Sequence, residues 1–149
     1  MARIFAVSSG GGHWEQLMLL RTAFTGHDVV YANTIEGLAE KASVSPSVVI
    51  ADCNRDDLMS VLRCVRDLLK IFQKDRPDIV VTTGAAPGVL ALAIGRLHGS
   101  KGIWIDSVAN SERLSLSGRM ARRIAALHLT QWEHLADEAS GTHYLGSVL

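Results

Sequence analysis

The sequence is poor in cysteine, with Cys53 and Cys64 as the only two in 149 residues. Two cysteines are too few for a disulfide framework, and their spacing matches no zinc-binding motif. An excess of either charge is also missing, because fifteen basic residues balance fifteen acidic ones. No global charge therefore recruits nucleic acid or an anionic bilayer, and any affinity for phosphate must be local. We interpret both cysteines as structural thiols in a reducing compartment.

Long hydrophobic runs are missing as well. The first apolar stretch, residues 4–7, is too short for a signal-peptide core or a membrane span, and the longest apolar region, residues 89–97, is interrupted by Gly95 and Arg96. We therefore expect that no part of the chain spans a bilayer by itself. Hydrophobic residues make up 48% of the chain, which is enough for a sizeable core. The length suits one domain, which we assign to residues 1–149.

Short apolar runs alternate with amphipathic stretches, and this alternation predicts the fold class. The predicted strands are residues 3–8, 28–32, 47–52, 78–82, 102–106 and 128–131. The predicted helices are residues 14–24, 56–74, 89–98 and 118–127, with a short helix or irregular segment at 35–42. The buried stripe of the longest helix is predicted to be Leu58, Val61, Leu62, Val65, Leu68, Leu69 and Phe72. The alternation favours a Rossmann-like α/β fold, a parallel sheet with helices on both faces, which binds ligands at the carboxyl ends of its strands.

The first predicted strand is followed by a glycine-rich segment, residues 8–13, which we call the first loop. Gly10, Gly11 and Gly12 permit a close approach of the backbone, and free N–H groups at the start of the next helix favour an anion such as a phosphate or diphosphate. The loop is not a P-loop, because the lysine of GxxxxGK[ST] is absent, and it does not give GxGxxG. We name Ser9 and these three glycines as candidate phosphate-binding residues, with a plain tight turn as the alternative.

Two ionisable residues follow those glycines near the start of the predicted helix. His13 is the candidate general base, or a hydrogen-bonding partner of a phosphate. The alternative is an exposed helix residue without a chemical task. Glu15 is the second catalytic candidate, although an acidic residue also suits the first turn of a helix because of the helix dipole.

The second loop, residues 82–88, also connects a strand to a helix. Its small residues let a ligand, or the neighbouring first loop, come close to the backbone. Gly84, Ala85 and Gly88 are therefore candidate binding residues, and a purely structural turn is the alternative. Pro87 lies where the first turn of a helix accepts proline without cost.

The third loop, residues 106–118, follows the fifth predicted strand and is long for a connection of this kind. Asp106, Ser107 and Glu112 are the candidate ligand contacts, because their side chains can hold sugar hydroxyls or assist a proton transfer. Ser117 is predicted to cap the following helix. The arginines of that helix, Arg119, Arg122 and Arg123, form either a solvated face or a contact with membrane phosphates.

Three motifs, taken together and in this order, resemble a known family. They are Ser9-Gly10-Gly11-Gly12-His13, the segment Thr83–Gly88, and Asp106-Ser107 with Leu114–Gly118 followed by Gln131-Trp132. The sequence is similar here to the oligosaccharide-biosynthesis family, whose eukaryotic member is the membrane-anchoring subunit of the dolichyl-diphosphate N-acetylglucosamine transferase. Its bacterial members are subunits of capsule and exopolysaccharide glycosyltransferases. The family is in turn similar to the N-terminal half of the peptidoglycan N-acetylglucosaminyltransferase, a GT-B enzyme.

The resemblance implies an acceptor-side GT-B half-domain. A two-component glycosyltransferase would move a sugar from a UDP-sugar to a polyprenyl-diphosphate-linked saccharide, and a small partner subunit would bind most of the UDP-sugar. The resemblance implies neither a cofactor nor a metal, and it carries over the glycines of the first loop, His13, Gly84 and Gly88. Eukaryotic members begin with a membrane helix that this sequence does not show, so the resemblance implies a bacterial-type subunit, cytoplasmic and peripheral at the inner face of the membrane. The C-terminal residues are expected to help hold the partner.

Two other functions stay open at this stage. The first is a non-catalytic module that anchors or enhances a catalytic glycosyltransferase partner. The second is a free-standing nucleotide-binding enzyme. The second strand argues against that enzyme, because it ends Tyr31-Ala32-Asn33 without the acidic residue that holds a ribose in dinucleotide-binding folds.

Overall fold

The computed structural model describes all 149 residues, and its seven strands form one parallel sheet. The strands are β1 (Arg3–Val7), β2 (Asp28–Asn33), β3 (Ser47–Val49), β4 (Ile79–Thr82), β5 (Lys101–Ile105), β6 (Leu127–Thr130) and β7 (Thr142–Tyr144). The helices are α1 (Gly12–Leu19), α2 (Leu38–Lys41), α3 (Leu58–Asp75), α4 (Ala86–Leu97) and α5 (Leu116–Ala121), and short 3-10 helices occupy Arg21–Phe24, Glu133–Leu135 and Glu138–Ser140. The predicted Rossmann-like α/β fold is confirmed.

The strand order, β3-β2-β1-β4-β5-β6-β7, brings the candidate loops together. β1 and β4 are neighbours, with Val7 opposite Thr82 at their carboxyl ends. From this pair the chain continues outward in opposite directions, to β2 and β3 on one side and to β5, β6 and β7 on the other. The first loop follows β1 and the second loop follows β4, so the two loops lie side by side at the topological switch point. Open α/β sheets bind ligands at this point. β5 lies beside β4, so the third loop completes the same edge.

The two faces of the sheet are covered unequally. α3, α4 and α5 cover one face, where the rings of Phe5 and Phe72 meet edge to face with centroids 5.6 Å apart. α1 and α2 pack on the other face against β1 and β2. No helix crosses β5 and β6 on that second face, and Ile103 and Leu129 remain half-buried there. We call this area the open sheet face.

Two glycines bring α4 close to β4. A Cβ on Gly88 would overlap the side chain of Thr82, and a Cβ on Gly95 would lie 2.8 Å from the Cγ2 of Val80. Gly88 and Gly95 are about two turns apart, so they share the face of α4 that meets the sheet. The first turn of α4 is therefore held against β4, directly after the second loop.

α5 and β7 differ from the sequence prediction. α5 begins at Leu116 rather than Gly118, and its N-cap is Ser115 instead of Ser117, because the Ser115 Oγ accepts the Gly118 amide at 2.7 Å. β7 was not predicted, since its three residues include the polar Thr142 and His143 and form no apolar run.

The buried stripe of α3 also differs from the prediction. Leu58 and Leu62 are 70% and 52% exposed, whereas Cys64 and Ile71 are buried. The buried residues of α3 are Cys64, Leu68, Ile71 and Phe72, so the stripe begins later in the helix than predicted. None of the helices combines the length and the apolar character that a bilayer crossing requires.

Candidate functional site

The three candidate loops converge at the carboxyl edge of the sheet around a cleft of about 160 Å³. The cleft is lined by residues of all three loops and by one tryptophan of β5: His13, Gly84, Ala85, Trp104, Ser107, Ala109, Asn110, Ser115 and Ser117. A larger hollow of about 520 Å³ lies at the opposite edge, beside Arg76 and Gly99. That hollow lies at the amino ends of the strands, whereas open parallel sheets bind ligands at the carboxyl ends of their strands. The smaller cleft is therefore the candidate site for a phosphate-bearing ligand.

His13 and Thr83 join the first and second loops through a reciprocal pair of hydrogen bonds. The His13 Nδ1 lies 2.8 Å from the Thr83 carbonyl oxygen, and the Thr83 hydroxyl donates to the His13 carbonyl at 2.6 Å. Because a carbonyl oxygen only accepts, the Nδ1 of the neutral imidazole must carry the hydrogen. The Nε2 therefore holds a free lone pair, which is the form that a general base requires.

Gly84 makes room for the imidazole of His13. A Cβ at residue 84 would lie 2.7 Å from both the Nδ1 and the Cε1 of His13, and the φ of Gly84 is 124°, where other residues are strained. Gly84 thus allows the ring to lie against the second loop. Gly88, by contrast, is buried against Thr82 and does not line the cleft. Gly88 therefore packs α4 on the sheet, and its binding role stays a prediction.

Backbone amides at the start of α1 point to a site for an anion. The amides of Ser9 and Gly10 are used within the protein, by the Gly84 carbonyl at 3.2 Å and the Thr34 hydroxyl at 3.0 Å. The next three amides, those of Gly11, Gly12 and His13, donate to no protein group, and no side chain caps α1. Gly11 and Gly12 are exposed. These three amides, which we call the anion cradle, are free for a phosphate group at the positive end of the helix.

Asp106 holds the third loop in shape. Its carboxylate is 1% exposed and accepts four hydrogen bonds, from the Trp104 indole N–H at 3.1 Å, the Ser115 hydroxyl at 2.6 Å, the Ser115 amide at 3.0 Å and the Asn110 amide at 3.5 Å. A Cβ on Gly118 would lie 2.5 Å from the same carboxylate, so glycine is required there. Asp106 therefore has no oxygen free for a sugar hydroxyl, which corrects its prediction as a ligand contact.

Ser107 lines the cleft, whereas the two acidic candidates do not. The Ser107 Oγ accepts the Gln16 amide at 3.0 Å and the Ala109 amide at 3.2 Å, which leaves its own hydrogen free to donate. Glu112 is exposed and lies outside the cleft. Glu15 is exposed too, and because it follows His13 by two positions it projects from roughly the opposite side of α1. Neither glutamate lines this cleft, and their predicted roles stay predictions.

Several residues of the site were not named as candidates from the sequence, although Thr83, Ser115 and Gln131 lie in the motifs that resemble the family. Asn110 and Ser115 line the cleft, and Thr83 orients His13. Gln16 and Gln131 are buried behind the cleft and bonded to each other at 2.6 Å. Asn110 and Ser115 lie within the polar third loop, whose composition indicated a site. The contacts among the other residues depend on the folded chain.

The C-terminal tail, residues 145–149, runs beside the open sheet face. It bounds a groove of about 230 Å³ whose other walls include Leu20, Ile105 and Leu129. Leu145 of the tail is 76% exposed. The open sheet face and the tail therefore present apolar side chains that this chain covers only in part.

A second apolar area lies on the helical face near the cleft. It consists of exposed side chains in the first turns of α3 and α5, and we call it the apolar strip: Leu58, Met59, Leu62, Leu116 and Met120. α4 packs between these two helices, and all three begin at the carboxyl edge. Arg119 of α5 and Arg123, just after it, are exposed and form no ion pair. The strip thus combines apolar side chains with free positive charge.

Comparison with known proteins places the chain in a family. Residues 43–148 match the model of the family described as "Oligosaccharide biosynthesis protein Alg14 like". The first loop precedes this matched region. The mouse protein named UDP-N-acetylglucosamine transferase subunit ALG14 is 33% identical over 82 residues, which cover 50% of this chain and 37% of the mouse protein.

Solved structures share the fold at low sequence identity. MurG of Acinetobacter baumannii superposes with a TM-score of 0.77 at 14% identity, over 97% of this chain and 45% of that one. The Staphylococcus aureus MnaA–UDP structure gives a TM-score of 0.75 at 13% identity, over 99% and 44%. Anabaena HepE with UDP and glucose gives 0.69 at 13% identity, over 99% and 45%. The chain spans less than half the length of each of these relatives. The chain belongs to the Alg14-like family of oligosaccharide biosynthesis proteins, and its fold is that of the N-terminal half of a GT-B glycosyltransferase.

Proposed function

We propose that this chain is the acceptor-side subunit of a two-component glycosyltransferase. The complete enzyme moves a sugar from a UDP-sugar to a hydroxyl of a polyprenyl-diphosphate-linked saccharide. The observation that carries the proposal is the anion cradle of Gly11, Gly12 and His13, placed beside a histidine whose Nε2 is free to accept a proton. The named relative is a transferase subunit, which supports a role within a larger enzyme.

The proposed reaction uses the cradle to position the acceptor and His13 to activate it. The cradle amides hold the acceptor diphosphate, so that the sugar hydroxyl reaches the cleft. The Nε2 of His13 takes the hydroxyl proton while the oxygen forms a bond to the anomeric carbon of the donor. The bond from that carbon to the UDP oxygen breaks, and UDP leaves with the electron pair. The Thr83 carbonyl stabilises the imidazolium through the Nδ1 hydrogen bond of 2.8 Å.

Replacement of His13 tests the catalytic part of the proposal. His13→Ala, purified with the partner subunit, should lose roughly 100- to 10,000-fold in turnover, the usual contribution of a general base. His98→Ala is the matched control, because His98 lies at the opposite edge of the sheet. Full activity of His13→Ala would remove this residue from the mechanism. Equal activity of the partner with and without this chain would instead make the chain an anchoring or enhancing module.

We further propose that the partner subunit covers the open sheet face and the tail, and supplies most of the UDP-sugar site. The uncovered apolar groove beside Leu129 and the exposed Leu145 support this docking surface. Leu145→Asp should abolish co-purification of the partner without unfolding the chain, because the side chain is mostly exposed. Leu97→Asp, on the helical face and 86% exposed, is the control. Partner binding that survives Leu145→Asp would contradict this surface.

The apolar strip is the surface that we propose to contact the membrane, where the lipid-linked acceptor resides. Apolar side chains would enter the headgroup region while Arg119 and Arg123 meet anionic phosphates. Met120→Ser should reduce sedimentation with phosphatidylglycerol vesicles. Leu19→Ser, which changes an exposed apolar residue of α1, should not. Equal sedimentation of the two variants would exclude the strip. We propose that this contact lies at the inner face of the membrane.

A further inference from the structure

Two buried glutamine side chains connect the C-terminal tail with the cleft. Gln131, at the end of β6, is 4% exposed, and Gln16 of α1 is 7% exposed. The Gln131 Nε2 donates to the Gln16 Oε1 at 2.6 Å and to the Asp106 carbonyl at 2.9 Å. The two side chains, which we call the amide pair, lie where α1, β6 and the third loop meet.

The amide pair is bonded to the cleft on one side. The Gln16 Oε1 accepts the Val108 amide at 3.0 Å, and the Gln16 Nε2 donates to the Ser107 Oγ at 3.0 Å and to the Gly12 carbonyl at 3.3 Å. Gly12 belongs to the anion cradle, and Ser107 lines the cleft. Gln16 also lies one helical turn after His13. A rotation of Gln16 would therefore disturb the third loop and the start of α1 together.

On its other side the amide pair is bonded to the tail. The Gln131 Oε1 accepts the Val148 amide at 3.1 Å and the Ser147 hydroxyl at 3.3 Å. Each of the two amide groups thereby uses both of its donor hydrogens and both of its acceptor lone pairs. Departure of the tail would leave a buried carbonyl oxygen without a donor, and this unfavourable state would be relieved by rotation of Gln131 or entry of water.

We propose that the amide pair couples the position of the C-terminal tail to the geometry of the cleft, with Gln131 as the positioning residue. An occupant of the open sheet face that holds the tail against Gln131 fixes Gln16, and through it the third loop and the anion cradle. The effect of this coupling on sugar transfer rests on the proposed function. The coupling itself is a property of the isolated chain.

A pair of proline substitutions in the tail tests the coupling by NMR on the full-length isolated chain. Val148→Pro removes the amide that donates to Gln131, whereas Leu149→Pro removes an amide that bonds only to the Ser147 hydroxyl. Val148→Pro should shift the resonances of Gly12, His13 and Val108, and it should speed hydrogen exchange of the Val108 amide about tenfold, the effect of losing one ordinary hydrogen bond. Leu149→Pro should change only resonances of the tail.

A second variant separates coupling from general stability. Gln131→Glu preserves the size and the acceptor oxygens but loses both donor hydrogens toward Gln16 and Asp106. It should produce the same shifts at Gly12 and Val108 as Val148→Pro, and the reconstituted pair should show a raised acceptor KM. Unshifted cleft resonances in both variants would overturn the coupling. Shifted resonances in a chain that transfers no sugar with its partner would preserve the coupling and reject the proposed function.

Discussion

Replacement of Gly12 by alanine examines the anion cradle without disturbing the fold that carries it. Gly12 is the first residue of α1 and is exposed, and a Cβ added to it meets no atom within 4 Å. Its φ is not in the left-handed region, unlike the 75° of Gly11. The folded chain therefore accepts a methyl group here. Because glycine loses more conformational freedom than alanine on folding, Gly12→Ala should stabilise the protein by about 0.5–1 kcal/mol.

The same methyl group should weaken acceptor binding. It would stand beside the amides of residues 11–13, where the proposed function places a diphosphate oxygen. Loss of one hydrogen bond to a charged group costs about 1.5–3 kcal/mol. That range corresponds to an increase in the acceptor KM of about 10- to 150-fold, since 1.4 kcal/mol is a factor of ten. Turnover at saturating acceptor should change little, because His13 keeps its bond to Thr83.

The assay measures sugar transfer by the reconstituted pair against acceptor concentration, together with urea unfolding of the isolated chain. Gly26→Ala is the control, because residue 26 has a φ of 85° and open space around it, and lies in the turn before β2. It should lose about 1 kcal/mol of stability and leave the acceptor KM unchanged. An unchanged KM in Gly12→Ala, with the stability gain present, would refute diphosphate binding at the cradle.

Three other changes have defined outcomes. Asp106→Ala removes the acceptor of four hydrogen bonds and should lower the free energy of unfolding by about 3–5 kcal/mol in urea titrations, whereas a loss below about 1 kcal/mol would show that the loop is held by other contacts. Burial lowers the pKa of His128 below 6.5, against the opposing effects of the Gly118 carbonyl and Asp106. The unfolded chain then binds more protons between the folded-state pKa and 6.5, so stability should fall as the pH falls through that window. His128→Gln, which does not titrate, should flatten this dependence, and an unflattened curve would assign it to another group. Transfer by the reconstituted pair should persist in EDTA, and its loss, restored by a divalent cation, would contradict the metal-free reaction.

The strands of the sheet centre could be predicted closely, and the capping of α5 could not. β1 and β4 are buried on both faces, so each appears in the sequence as an unbroken apolar run. The choice between Ser115 and Ser117 as N-cap has no local basis, because both are serines at the start of the same helix. Asp106 decides it by binding the Ser115 hydroxyl and amide. That contact exists only once β5 and α5 have packed.

The candidate site could be predicted in part for the same physical reason. A glycine-rich loop after a buried strand locates the cleft, because parallel sheets bind ligands at one edge. The partners of His13 and Gln16 could not be predicted, since the Thr83 and Gln131 contacts join residues separated by 70 and 115 positions. Glu15 was expected at the site because of its residue type, but the turn of the helix carries it away from His13.

The close approach of α4 to β4 limits how the cleft can be redesigned. Gly88 and Gly95 leave no space for a side chain between this helix and the sheet. A larger residue at either position would push α4 away from β4 and break the packing between the two layers. The second loop, which forms one wall of the cleft, is therefore held in place by the packing of α4 on β4. A cleft widened for a bulkier acceptor saccharide would have to be obtained from the opposite wall, by shortening or substituting the third loop around Asn110.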